Sequence, residues 1–189
     1  MLILTVWAWW DADPEVTDTT QETTTQLPPR TAPAQPAPPA VREYVEFGTQ
    51  PEQVEAEMGR DHDYTVTGLQ RLTAALDEVV QQETINEQPL EERLGRIREQ
   101  ANRIAQDPQS LKHANMVRDA FMEASALIEA VRERRAPEQP DIEQHARAAR
   151  NAAETLDTET PLLDQRDTVR QFFRASAEAI HQLSTVAPG

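Results

Sequence analysis

The chain repeats one helical pattern at a spacing of 52 residues, and this repeat constrains its fold more than any other feature. Residues 90–131, moved forward by 52 positions, fall on residues 142–183 without a gap. Eight of the matched positions carry the same residue, and several others exchange one apolar residue for another. Identical pairs include Leu111 with Leu163, Val117 with Val169, Phe121 with Phe173 and Ile128 with Ile180. The sequence therefore predicts a helical hairpin that occurs twice in the chain.

Each predicted helix carries apolar or small residues at alternating steps of four and three positions. This spacing keeps an apolar stripe on one side of gently supercoiled helices, and it is typical of antiparallel bundles. The five stripes are Thr65, Leu69, Leu72, Leu76, Val79; Leu90, Leu94, Ile97, Ala101, Ile104; Val117, Phe121, Ala124, Ile128, Val131; Ile142, Ala146, Ala149, Ala153, Leu156; and Val169, Phe173, Ser176, Ile180, Leu183. We predict an all-α, up-and-down antiparallel bundle of four to five helices that contains the duplicated hairpin. Stacking as a solenoid is the alternative, although two copies are few for one.

Composition narrows the classes of function. Only 5 of the 189 residues are Gly and 5% are aromatic, a mixture that favours helices over sheets. The formal charge of −15 repels phosphate backbones and anionic lipid headgroups, so we expect no nucleic-acid partner. The absence of cysteine excludes disulfides, thiolate zinc sites and a cysteine nucleophile.

The chain divides into four segments. Residues 1–10 are apolar, with three Trp at the end, and are too short to span a bilayer. They are interpreted as a truncated signal or anchor, and so as a membrane tether, with an incidental apolar terminus as the alternative. Residues 11–40 form a Thr/Gln/Pro-rich linker that we predict to be disordered. Residues 41–62 are transitional, with a short helix predicted from Thr49 to Met58, and residues 63–189 form the bundle domain. This layout is typical of an exported protein, periplasmic or extracellular, at the cell envelope.

The ends of two predicted helices also carry signals. Asp141 with Gln144 predicts a capping box at the start of the fourth helix. The basic stretch from Arg132 to Arg135 predicts the end of the third, where positive charge suits the helix dipole.

The histidines are the candidates for metal binding. His62 lies between two aspartates, and an Asp/His trio can bind Zn²⁺ or Cu²⁺. His145 falls at the inner edge of the fourth helix and His181 borders the stripe of the fifth, where bundles hold haem or metals. For all three, a structural role is the alternative: a solvated helix N-terminus for His62 and a boundary histidine for the others. We predict that His113 is exposed, and we predict no bound cofactor.

No catalytic arrangement is evident. The chain lacks glycine-rich phosphate-binding loops, His-Glu-x-x-His and Gly-x-Ser-x-Gly. Ser125 and Ser176 lie between alanines in helices and are interpreted as packing residues. We therefore assign no catalytic residue and predict a non-enzymatic, envelope-tethered bundle that acts by protein–protein interaction. The alternative is a metal- or haem-binding bundle linked to metal handling.

Two stretches resemble one known family. Val169-Arg170-Gln171-Phe172-Phe173 followed by Ile180-His181-Gln182-Leu183 resembles the last helix of the periplasmic helical domain that accompanies heavy-metal efflux proteins. The stretch from Leu69 to Leu76 resembles the first helix of that family. The resemblance covers roughly residues 63–183 and implies an envelope protein with a four-helix fold and a link to metal handling. No binding residue is carried over from it, because this chain has no evident Met/His cluster.

Overall fold

Six helices make up the described part of the chain. The computed structural model describes residues 36–49, 63–83, 88–106 and 113–187, and these contain no strand. The helices are α1 (Pro39–Thr49), α2 (Asp63–Gln81), α3 (Gln88–Gln106), α4 (His113–Arg135), α5 (Pro140–Thr155) and α6 (Arg166–Thr185). A 3₁₀ turn, Leu162–Gln165, precedes α6. The predicted all-α bundle is confirmed.

The helices α2 to α6 form a closed up-and-down bundle. Each packs against the next along the chain, and α6 returns to pack against α2. Helix α4 also contacts α6 across the bundle. The C-terminal ends of α2, α4 and α6 meet around one side chain, that of Arg135. Because these three helices point the same way, the intervening α3 and α5 run antiparallel to them.

The apolar stripes of the sequence form the core. Every position of the five predicted stripes is buried, from Thr65 in α2 to Leu183 in α6. Positions 52 apart are therefore buried alike, as with Phe121 and Phe173, while the duplication of the hairpin stays a prediction. The inner face of α5 consists largely of alanine, which allows close packing against α4 and α6. Large side chains from those neighbouring helices fill the remaining space.

Helix α1 was not predicted. The sequence analysis placed Pro39 and Ala40 in the linker and the following residues in a transitional segment, yet these residues form a helix that packs on α2 and α6. Its apolar side is short and follows a run of prolines, so it carries no repeated stripe. The helix predicted from Thr49 to Met58 and residues 11–35 of the predicted linker lie outside the described residues. Thr49 itself ends α1.

The helix ends match the predictions in part. Arg135 ends α4 as expected. The capping box at Asp141 and Gln144 was wrong: α5 begins at Pro140 after Gln139, and no side chain caps it. Proline supplies the start instead, since it has no N–H to satisfy in the first turn.

None of the described helices combines the length and the apolar character that crossing a membrane requires.

Candidate functional site

All six Phe and Tyr side chains of the chain lie in one cluster. Phe173 is at its centre and presents edge-to-face contacts to the other five rings, at centroid distances of 5.2–6.4 Å. Phe121 and Phe172 stack with centroids 3.6 Å apart. The cluster joins α1, α2, α4 and α6. Phe173 of α6 therefore contacts a ring from each of α1, α2 and α4.

A buried pair of hydroxyl groups fixes α1 on α6. The Tyr44 and Ser176 oxygens are 2.6 Å apart, and Ser176 donates to the carbonyl oxygen of Phe172 at 2.7 Å. Burial raises the pKa of Tyr44 above its ordinary value, although the Ser176 hydrogen bond acts the other way. The phenol therefore stays protonated and contributes a hydrogen bond without a charge.

Two glycines allow α1, α2 and α6 to approach closely. A Cβ atom at Gly48 would lie 2.8 Å from the Ala177 Cβ and 2.9 Å from the Phe173 carbonyl oxygen. A Cβ atom at Gly68 would overlap the ring of Phe173. Both glycines lie in helices, where Gly costs about 1 kcal/mol relative to Ala. Close packing against α6 accounts for them.

Charged side chains mark the two ends of α1. The Glu78 carboxylate accepts from the backbone N–H of Ala40 at 3.1 Å and of Val41 at 3.4 Å. At the other end, the Arg71 guanidinium lies over the Phe47 ring, 5.2 Å from its centroid. An acid at the helix N-terminus and a base near the C-terminus both suit the helix dipole. These contacts define the direction of α1, antiparallel to α2.

An ion pair is buried at the end of the bundle where α2, α4 and α6 finish. Arg135 pairs with Glu83, and their side chains are 0% and 6% exposed. Arg135 also donates to the carbonyl oxygens of Val79 (2.6 Å) and Leu183 (3.1 Å) and to the Gln82 amide oxygen (3.0 Å). One guanidinium thus satisfies acceptors at the ends of two other helices.

An open groove of about 580 Å³ lies on the outer surface beside the end of α1. Its lining mixes both signs of charge with hydroxyl and amide groups. The lining residues are Gly48, Thr49, Tyr64, Asp167, Arg170, Gln171, Arg174 and Glu178. Arg174 is exposed, and Arg170 is paired with Asp167 at 3.4 Å.

The loop before α6 has a defined structure. The backbone N–H of Glu159 and the hydroxyl of Thr160 donate to the Asp157 carboxylate and lower its pKa. Gln165 bonds the backbone of the loop from its other end. The loop carries Leu163, which at 50% exposure is the most exposed large apolar side chain of the described residues.

The structure places three of the four histidines. His145 and His181 are half-buried on α5 and α6, which pack against each other. The His181 Nδ1 atom is buried and has no hydrogen-bond partner. His62 lies outside the described residues. The prediction that His113 is exposed was wrong, because it is buried at the start of α4.

The described ranges contain no group of three or more His, Asp or Glu side chains that could hold a metal ion. The role of His145 and His181 as metal ligands therefore stays a prediction that concerns two residues on adjacent helices.

The polar groups that join the helices were not predicted from the sequence. Arg135 was noted only as part of the basic end of its helix, Glu83 was not noted, and Tyr44 lay in the transitional segment. The signal for Tyr44 was present, since Val41, Tyr44 and Phe47 recur at three-residue steps. Nothing in the sequence pairs Arg135 with Glu83, because their contact depends on where two helices end.

Comparisons with protein-family models, with curated proteins and with solved structures find no match to this chain. The resemblance to the periplasmic domain of heavy-metal efflux systems stays a prediction.

Proposed function

We propose that this chain is a non-enzymatic helical-bundle protein that acts by contact with another protein and is exported or tethered at the cell envelope. The observation that carries the proposal is the groove beside α1. It is open to solvent and mixes Arg170, Arg174 and Glu178 with hydroxyl and amide groups. Such a mixed polar lining is usual at the rim of protein contacts, where Arg is enriched.

The polar groups inside the bundle support the same proposal. Arg135 and Glu83 are bonded to each other and to helix ends, and Tyr44 is bonded to Ser176. These bonds hold helices together, so the interior polar groups have a structural role. We therefore propose that the contact with another protein is made by the outer surface.

Tethering rests on the order of segments in the sequence. An apolar start over residues 1–10 and a Thr/Pro-rich stretch over residues 11–38 come before α1 in the sequence. A Thr/Pro-rich composition is typical of spacers that give a domain reach from an anchored end.

Photo-crosslinking in the native cell tests the proposal. With p-benzoylphenylalanine at Arg174, we expect adducts of discrete higher mass in the envelope fraction. The matched control is the same replacement at Arg147, another exposed arginine, on the outer face of α5. Identical adducts from both positions, or native protein free in the cytoplasm, would contradict the proposal.

The second candidate function is metal or haem binding, and the orphan nitrogen of His181 favours it. A buried imidazole nitrogen without a hydrogen bond is available as a ligand, and imidazole suits Zn²⁺, Cu²⁺ and Ni²⁺. His145, on the adjacent helix, is the proposed second ligand, and His62 belongs to the same candidate set.

Metal loading of the whole chain tests this second candidate. After equilibration with Zn²⁺, Cu²⁺ or Ni²⁺, mass spectrometry is expected to find one ion per chain, lost in His145→Ala or His181→Ala. Haem addition is followed in parallel by absorbance. Thr185→Ala, an exposed change on α6, is the control. Binding that survives both histidine changes would remove this candidate site.

A further inference from the structure

Helix α1 has the features of a peptide docked in a groove. It is 11 residues long, and its buried residues Val41, Tyr44 and Phe47 follow at three-residue steps on one side. Isolated helices of this length are marginal in water. The helical structure of α1 therefore depends on its contacts with α2 and α6.

The bundle beneath α1 is closed without it. Helices α2 and α6 contact each other directly, and each also packs against further helices of the bundle. Removal of α1 would uncover one face of α2 and α6 while every other helix pair keeps its contacts. Such a peripheral element can open in a local transition that leaves the remaining structure folded.

We call the surface of α2 and α6 that α1 covers the α1 channel. Phe173 and Ser176 lie beneath Tyr44, and Tyr64 stacks against Phe47 with centroids 4.8 Å apart. Glu78 lies at the N-terminal end of the helix that occupies the channel. The channel therefore fits a helix with an apolar face and with a hydroxyl group near Ser176. Glu78 favours one direction of that helix, with its N-terminus beside the carboxylate.

We propose that α1 is a releasable strap and that the α1 channel binds an amphipathic helix of a partner protein in its place. The partner helix carries an aliphatic residue, Tyr and Phe at positions i, i+3 and i+6. This is the helix-in-groove mode of recognition, in which such anchors supply the affinity. The inference rests on the proposed function and names the class of partner.

The occupant is a different protein rather than a second copy of this chain. If two copies exchanged their α1 helices, each α1 would make the same contacts that it already makes in its own chain. Such an exchange buries no additional surface. Each copy also has a formal charge of −15, and two such copies repel one another.

Binding of the partner depends on how often α1 leaves. As part of the same chain, α1 competes with the partner intramolecularly, and effective concentrations for segments joined by short linkers are on the order of millimolar. The apparent affinity of the partner is reduced by the fraction of chains in which the channel is open. Weakening α1 should therefore tighten the binding of a competing helix.

Hydrogen exchange of the whole chain tests release of the strap. We expect amides of residues 41–49 to exchange at least tenfold faster than those in the middle of α4. Tyr44→Phe, which removes the hydroxyl next to Ser176, should speed exchange in α1 about threefold to tenfold and leave α4 unchanged. If α1 and α4 lost protection from hydrogen exchange together, the proposal that α1 is a releasable strap would be overturned.

A peptide with the sequence of residues 36–49 tests the channel. Its fluorescence anisotropy should show at least tenfold tighter binding to a whole chain with Tyr44→Ala and Phe47→Ala than to the unchanged chain. The control peptide carries those same two alanines and should not bind. Ala177→Leu, added to the altered chain, should abolish binding by filling the channel.

The outcomes separate this inference from the proposed function. No peptide binding, together with persistent Arg174 adducts, would overturn the inference and leave the proposed function standing. A dimer formed by the unchanged chain through exchange of α1 would make a second copy the occupant and also overturn it. Peptide binding that prevents the Arg174 adducts would support both.

Discussion

Replacing Arg135 with Met is expected to lower the free energy of unfolding by about 3–5 kcal/mol. The change leaves the Glu83 carboxylate inside the protein with its cation removed. It also removes one of the hydrogen-bond donors to the carbonyl oxygens of Val79 and Leu183. An uncompensated buried charge is among the few single changes with an effect this large.

Denaturant unfolding monitored by circular dichroism measures this loss. Arg103→Met is the matched control, because Arg103 is 65% exposed in a pair with Glu99 within one helix, and we expect less than about 0.5 kcal/mol there. The double change Arg135→Met and Glu83→Met should recover at least half of the loss, since apolar pairs often replace buried ion pairs well. A single variant as stable as the unchanged chain would show that Arg135 does not join the helix ends.

Replacing Phe173 with Ala is expected to cost about 3–5 kcal/mol and to lower the melting temperature by roughly 6–20 °C. The ring is fully buried and contacts every other Phe and Tyr of the chain. Its removal leaves a cavity where four helices meet, and a rigid cluster of rings collapses poorly into such a space. Thermal unfolding measures the effect, with Leu163→Ala as a half-exposed control expected to stay near the unchanged chain.

A double-mutant cycle tests whether the Phe173 ring is the reason that position 68 is a glycine. Gly68→Ala alone should destabilise the protein, because the new methyl overlaps the Phe173 ring. In the Phe173→Ala background the same change should be neutral or stabilising, since the methyl enters the cavity and Ala favours a helix. The coupling is therefore expected to exceed about 1 kcal/mol. Additive effects would mean that Gly68 is present for another reason.

The helices of the bundle could be predicted because burial controls their sequence. Alternating steps of four and three predicted every stripe position from Thr65 to Leu183, and each is buried. Phe172 was less evident, since it follows no stripe. Adjacent phenylalanines are both buried because Phe172 faces Phe121, while Phe173 also reaches the rings of α1 and α2.

The candidate site could be predicted only in small part. His145 and His181 were placed correctly at the border of the core, whereas His113 is buried where exposure was expected. The contacts of Tyr44 with Ser176 and of Arg135 with Glu83 each join residues more than 50 positions apart. Pairings of this kind follow from the three-dimensional arrangement of helix ends, which local periodicity does not encode.

The contacts of Glu78 and Arg135 determine where the folded part can be attached to other molecules. The start of α1 lies beside Glu78, and the end of α6 lies at Arg135 with Val79. The two ends of the described unit therefore leave from the same end of a bundle that is about 30 Å long, the length of a 20-residue helix. A short linker could join these ends in a circular permutant. A label attached where α1 begins or where α6 ends would lie at the opposite end of the bundle from the Leu163 loop and the outer groove.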